Sequence, residues 1–211
     1  MEAESFLPTH IARDNVCECC RLGVGFAAAQ RPAVLFRNIF DSNTRDHALL
    51  VFQDRDTPGP LHRISVDDWE IDACPHHGPA LAIAATGTIH AAWFTAGKVR
   101  EGLFYARSRD GGAEFSTPMP IGDASHRPAR PYLLASGDTL RLVWKEFDGE
   151  VTAVKMIISS DDGNSWSPPK EIATTGDSSD HPLLLGDGRR AYLSWLTHAD
   201  GYRLMPLDDL P

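Results

Sequence analysis

Ser108-Arg109-Asp110-Gly111-Gly112-Ala113-Glu114-Phe115 and Ser159-Ser160-Asp161-Asp162-Gly163-Asn164-Ser165-Trp166 are two copies of one pattern, S-x-D-x-G-x-x-aromatic, 51 residues apart. The chemistry of the pattern is that of a turn. Serine and aspartate oxygens accept bonds from backbone amides. Glycine takes a positive φ that other residues resist, and the closing aromatic ring plugs into apolar surface beside the turn. A second marker keeps the same beat. Ile89-His90-Ala91-Ala92-Trp93, Leu140-Arg141-Leu142-Val143-Trp144 and Ala191-Tyr192-Leu193-Ser194-Trp195 each end in a tryptophan, at steps of 51 residues. Two unrelated markers on one period define a repeat protein.

Between the markers the apolar residues fall in short bursts bounded by Gly, Pro, Asp or Ser, with 17 glycines and 15 prolines in 211 residues. Residues 24–30, 33–37, 48–53, 80–85, 88–94, 102–107, 139–147, 151–159 and 191–196 read as strands, and no window of a dozen residues keeps helical spacing. The expected class is all-β. Acidic residues outnumber basic ones by 29 to 20, for a net charge of −9, and no dense basic run occurs. A nucleic-acid partner is therefore not expected. The longest purely apolar run, residues 80–85, is too short to cross a bilayer. Residues 1–16 show no basic start followed by an apolar stretch, so this chain displays no signal peptide.

The octapeptide resembles the Asp-box, the bacterial neuraminidase repeat of sialidase-like β-propellers. In that family the box joins the third and fourth strands of a blade, on the rim away from the active site. Ser108, Asp110, Gly112, Phe115, Ser159, Asp161, Gly163 and Trp166 are then structural residues. A repeat of about 50 residues with four strands fits one blade. The resemblance implies a single partial propeller, with a leading segment 1–16 and blade-like units at 17–72, 73–124, 125–176 and 177–211. That is about three and a half blades where the family has six. Either the chain is a fragment, or its exposed blade edges are covered by a partner chain. The match extends to Cys17-Glu18-Cys19-Cys20, Ala73-Cys74-Pro75, Gly78-Pro79, residues 144–149 and Gly201-Tyr202-Arg203-Leu204. On those residues the chain is similar to a bacterial exo-α-sialidase group. Members of that group are usually exported, which implies a periplasmic or secreted protein with its cysteines in an oxidising compartment.

The segments entering the first strand of each unit carry the chemistry: Cys17-Glu18-Cys19-Cys20, Cys74-Pro75-His76-His77, His126-Arg127-Pro128 and Asp180-His181-Pro182. His77 precedes the box serine of its unit by 31 residues and His126 precedes its own by 33. In a propeller such loops open on one face, so these side chains are expected to converge. Thiolate and neutral imidazole are ligands of copper and zinc. Cys17, Cys19, Cys20, Cys74, His76, His77, His126 and His181 are accordingly the candidate ligands. Two alternatives stay open: a disulfide from Cys74 to Cys17, Cys19 or Cys20, and histidines that serve only their own loops.

Catalysis is the second possibility. The resemblance implies a fold and not an activity; a true sialidase needs three arginines on the substrate carboxylate, a tyrosine nucleophile polarised by a glutamate, and an aspartic acid as acid/base. Arg130, Tyr202 and Glu146 are the nearest candidates, with Arg141, Arg203, Tyr132 and Tyr192 behind them, and no motif places any of them. The family's Arg-Ile-Pro element has only Phe36-Arg37-Asn38-Ile39 as a counterpart, without the proline. No phosphate-cradling loop occurs, since no helix follows Gly111-Gly112, so no nucleotide cofactor is expected. The expected role is a non-catalytic protein holding a metal, a glycan or another small molecule. The alternatives are an exo-α-sialidase-type glycosidase and a protein-interaction scaffold.

Overall fold

The computed structural model describes residues 11–207. The described residues form fifteen strands and three single turns of 3-10 helix. No helix among them is long and apolar enough to cross a membrane. The strands make four consecutive antiparallel meanders. Blade 1 holds β1 (Gly23–Ala27), β2 (Arg31–Arg37), β3 (His47–Phe52) and β4 (Pro58–Arg63). Blade 2 holds β5 (Ala80–Ile83), β6 (Ile89–Ala96), β7 (Glu101–Ser108) and β8 (Met119–Ile121). Blade 3 holds β9 (Ala129–Ser136), β10 (Thr139–Phe147), β11 (Thr152–Ser159) and β12 (Lys170–Thr175). Blade 4 has three strands among the described residues, β13 (Leu183–Gly186), β14 (Ala191–Thr197) and β15 (Gly201–Pro206). The first strands pack on one another in sequence, β1 on β5, β5 on β9 and β9 on β13, so the sheets fan out from a common inner line as propeller blades do.

Among the described residues, blades 2 and 3 are covered by a neighbouring blade on both faces, which explains their sequence. The Ile89–Trp93 run of β6 is buried at all five positions, because a strand covered on both sides needs apolar groups throughout rather than in alternation. Leu35, Leu49 and Val51 of blade 1 meet Leu81, Ile89 and Trp93 of blade 2. Leu103 and Tyr105 meet Leu142, Trp144 and Ile157 of blade 3, and Val143 and Met156 meet Leu193 and Trp195 of blade 4. Reading periodicity finds these central strands and passes over β4, β8, β9, β12, β13 and β15. Several of those are outer or polar, and Pro58, Pro60 and Pro120 sit in β4 and β8, where a missing N–H is tolerated at a sheet edge. The strand expected over residues 24–30 ends at Ala27, because Ala28–Gln30 turns with Ala29 at φ 59°.

Trp93, Trp144 and Trp195 are each at most 1 % exposed, and each also anchors the loop that precedes its blade. Trp93 Nε1 donates to Asp67 Oδ2 at 2.8 Å. Trp144 Nε1 donates to Glu146 Oε1 at 2.8 Å, and the same oxygen accepts the Asp123 amide at 2.9 Å. Trp195 Nε1 donates to the Asp180 carbonyl at 3.1 Å. The 51-residue beat thus places one wedge in each of blades 2, 3 and 4 and one tether in the loop that precedes each of them.

The Asp-boxes join β7 to β8 and β11 to β12. Ser159 Oγ accepts the Gly163 amide at 2.9 Å and donates to Asp161 Oδ1 at 2.8 Å, and Asp161 takes the Ser165 amide at 2.9 Å. Ser108, Asp110 and Gly112 repeat the arrangement at 2.7 and 2.8 Å. Gly112 and Gly163 have φ of 98° and 74°, the left-handed region that favours glycine. The third-to-fourth connections lie at the opposite end of an antiparallel blade from the loops entering its first strand. Each box is also seated on the preceding blade: the Trp166 ring stands edge-on to Tyr105 at 4.9 Å, and Arg107 donates to the Asp162 carbonyl at 2.7 Å.

A pH dependence follows from this turn. Hydrogen bonds from the Ser165 hydroxyl and amide, then from Ser159, hold the Asp161 carboxyl down at about 2, against an ordinary 3.8. A depressed acid stabilises the fold above its unfolded value and loses that contribution as pH falls towards its folded one. In urea unfolding, Asp161→Asn should trail the parent at pH 5, and the gap should narrow by pH 2.5. An equal gap at both pH values would refute the assignment.

Candidate functional site

The loops entering β1, β5, β9 and β13 lie at one end of the blades, together with the second-to-third strand connections. Arg37, fully buried at the end of β2, ties two of these loops. Its Nη2 donates to the His77 carbonyl at 3.0 Å and the Phe94 carbonyl at 2.9 Å, and its Nη1 donates to the Arg45 carbonyl at 2.5 Å. The guanidinium sits 4.5 Å over the Trp69 ring. Gly78 brings the Cys74–Pro79 loop hard against the first: a Cβ there would lie 2.7 Å from the Arg21 amide nitrogen.

That approach assembles the cysteines. The Sγ atoms of Cys17, Cys19 and Cys74 all lie within 4.8 Å of one another. Cys17 and Cys19 are 3.7 Å apart, and Cys20 donates to Cys17 at 3.5 Å. All four are free thiols, so the disulfide alternative is not what this structure holds. Cys17 and Cys20 are buried, Cys19 is half-buried and Cys74 is exposed. Burial raises the Cys19 thiol, but bonds from Cys74, the His76 backbone, Cys17 and Cys20 outweigh it and bring the thiol below its ordinary value. Burial and then the Cys17 hydrogen bond push Cys20 up to about 12. Arg45 Nη1 reaches Cys17 Sγ at 3.5 Å.

Beside the sulfurs a cleft of about 410 Å³ is lined by Cys19, Cys20, Arg21, His76, Arg130 and His181. Three blade-leading loops and the start of β9 contribute to it. Arg130 Nη1 donates to the His76 carbonyl. His77 turns away from the sulfurs and stacks on Phe94, with centroids 4.3 Å apart. Burial first, then the Arg130 and Arg37 guanidiniums, hold His77 down at about 4, and burial with Arg130 and Arg21 does the same for His181. Both imidazoles are therefore neutral near pH 7.

His126 has other neighbours, Asp123 at 3.5 Å and Glu146 at 4.0 Å, and it does not line the cleft. Its loop turns back on the Trp144–Glu146 tether, which the matching phase of the repeat could not show. Of the hydrolytic candidates, only Arg130 lines the cleft. Glu146 is occupied by an indole and an amide, and exposed Tyr202 on β15 contacts Ser194 Oγ at 3.2 Å. Arg21 is the cleft residue that sequence reasoning passed over. Its signal was its position, directly after Cys20 in a blade-leading segment.

No family model matches the chain, and no curated protein does. Solved structures do match. The Hadza microbial sialidase Hz136 superposes with a TM-score of 0.65 at 19% identity, over 90% of this chain and 44% of its own. The Penicillium chrysogenum alpha-L-arabinanase, solved with arabinobiose, gives 0.59 at 13% identity, over 87% of this chain and 60% of its own. The alpha-L-arabinofuranosidase arb93a from Fusarium graminearum, solved with an iminosugar inhibitor, gives 0.60 at 11%, over 87% and 59%. The chain thus spans less than half of the sialidase and under two thirds of the other two. At these identities the likeness is one of fold: an all-β partial propeller of the kind found in sialidases and arabinan-cleaving enzymes.

Proposed function

We propose that the protein binds one thiophilic metal ion, copper or zinc, through Cys17, Cys19 and Cys74, as a binding protein rather than a hydrolase. One observation carries this reading: three sulfurs from two different blades lie within 4.8 Å of one another. A tetrahedral ion with metal–sulfur bonds of about 2.3 Å separates its sulfurs by roughly 3.8 Å, and Cys17 and Cys19 stand 3.7 Å apart. The donor set suits the ion, since thiolates select Cu(I) and Zn(II) over hard cations. Arg45 supplies a hydrogen bond to Cys17 Sγ, of the kind that orients a thiolate ligand. His76 and His181 border the same cleft and stand as reserve ligands. A sugar-cleaving role is the second reading, favoured by Arg130 in the cleft and by the propeller glycosidases that share the fold.

The test is metal content of the full chain after reduction, loading with Zn(II) or Cu(I), and dialysis. About one ion per chain should be retained by the parent and lost on Cys19→Ser or Cys74→Ser. The second variant is the folding-safe one, because Cys74 is exposed. Metal-free parent protein with four titratable thiols would refute the proposal. Loading should also stabilise: at free metal 100 times Kd, unfolding should cost about 2.7 kcal/mol more. Thermal unfolding of loaded and chelator-treated protein reads this directly, and the difference should vanish in Cys74→Ser.

A further inference from the structure

We infer that an ion at Cys17, Cys19 and Cys74 takes an oxyanion, a carboxylate or phosphate group, as its remaining ligand, gripped from the cleft by Arg21 and Arg130. The inference rests on the metal reading above and adds the ligand class. Three thiolates leave a tetrahedral ion one open position, the arrangement of sites that accept an outside ligand. Cys19 belongs to both the sulfur group and the cleft wall, so the two spaces adjoin.

The cleft is built for negative charge. Its lining holds two guanidiniums and no carboxylate, in a chain whose net charge is −9. Arg21 and Arg130 line the same cleft, and two guanidiniums facing one space can hold an oxyanion by charge-assisted hydrogen bonds. The nearest acid, Asp180, draws on both arginines, but one of its oxygens already takes the His181 amide at 2.7 Å. Arg21 lies 5.7 Å over the Tyr132 ring, and among the described residues no hydrogen bond claims its guanidinium. Arg130 spends one donor on the His76 carbonyl and keeps others, since a guanidinium carries five.

His76 couples the two halves. It lines the cleft with Cys19 and its carbonyl accepts from Arg130, so a single residue borders the sulfur side and fixes the guanidinium. It is held there at φ 53°. An oxyanion offers one oxygen to the ion and another to a guanidinium fork, a pairing that suits arginine better than lysine.

The experiment uses the full chain loaded with Co(II), whose absorption reports both thiolate ligation and the fourth ligand. Sodium acetate and inorganic phosphate are titrated separately at constant ionic strength, with chloride as control. The expected result is a saturable shift of the cobalt d–d bands with acetate, phosphate or both, and none with chloride. The arm that responds identifies the oxyanion. Arg21→Met with Arg130→Met should raise the half-saturating concentration at least tenfold and leave cobalt stoichiometry unchanged. A cobalt–thiolate band that neither anion moves overturns this inference and leaves the metal site standing, as does an equal shift in the double variant. Absence of the band, with thiols reduced, overturns the metal reading itself. Should the double variant fail to fold, the contrast between oxyanion and chloride in the parent still decides.

Discussion

Trp93→Ala should lower the free energy of unfolding by about 3–5 kcal/mol, the cost of emptying a large buried aromatic site, against a total of about 5–15 kcal/mol for a domain. Trp93 is fully buried between blades 1 and 2 with Leu35, Leu49 and Ile89, so the void opens at a blade junction that cannot collapse without moving a whole sheet. The loss has a second part. The indole N–H tethers Asp67, itself buried and bonded to Ser65 and Arg100. Trp93→Phe separates the two, since it keeps most of the volume and drops the hydrogen bond. It should cost about 1–3 kcal/mol, the range for a buried acceptor left short of a partner. Urea midpoints for parent, Phe and Ala variants measure both steps. An alanine variant within 1 kcal/mol of the parent would show that the tryptophan is not the wedge described.

Asp46→Ala should be comparably severe, at about 3–5 kcal/mol, because it removes a fully buried carboxylate that satisfies three backbone amides, each costing about 1–3 kcal/mol when left unpaired. The Asp46 carboxylate is fully buried and accepts the amides of Asp67 at 2.9 Å, Asp68 at 3.0 Å and Trp69 at 3.3 Å, together with the Arg63 guanidinium. Removing it leaves three amides short of an acceptor in one step, while the Arg63 guanidinium keeps Asp68 as its carboxylate partner. The 67–69 turn also carries Asp67 for Trp93 and the Trp69 ring under Arg37, whose guanidinium holds the His77 carbonyl. Damage there should reach the cysteine loops, so metal retention should fall along with stability. Asp46→Asn keeps the shape and part of the acceptor set and should fall between parent and alanine. Metal retention in an Asp46→Ala variant equal to the parent's would show that the turn and the sulfur cluster are uncoupled.

Asp46 was invisible to sequence reading, and the reason is instructive. A lone aspartate in Arg45-Asp46-His47 has no repeat partner, and its importance comes from three amides more than twenty positions away. Glu146 shows the reverse. Its residue type and its place near Trp144 suited a catalytic partner, yet its oxygen is spent on an indole and an amide. Arg130 was legible as a guanidinium donor, and it lines the cleft. Arg21, one residue beyond a visible cysteine motif, carried the same phase information and needed only its neighbours to be noticed.

What the sequence by itself determined was periodic and local. The 51-residue beat, the two box turns, the buried tryptophans and the all-β class follow from side-chain type at fixed spacing, because hydrogen-bonded turns and strand burial are decided over a few residues. What only the tertiary structure decided was which of the blade-leading side chains meet. Phase within a repeat assigns a residue to one end of a blade, but not the direction its side chain takes. Gly78 and Arg37 draw the loop of Cys74 onto that of Cys17 and Cys19, while His126, in nearly the same phase as His77, turns to Asp123 and Glu146. Ligation and ion pairing act over a few ångströms, and distances of that size are set by loop packing between blades rather than by the period along the chain.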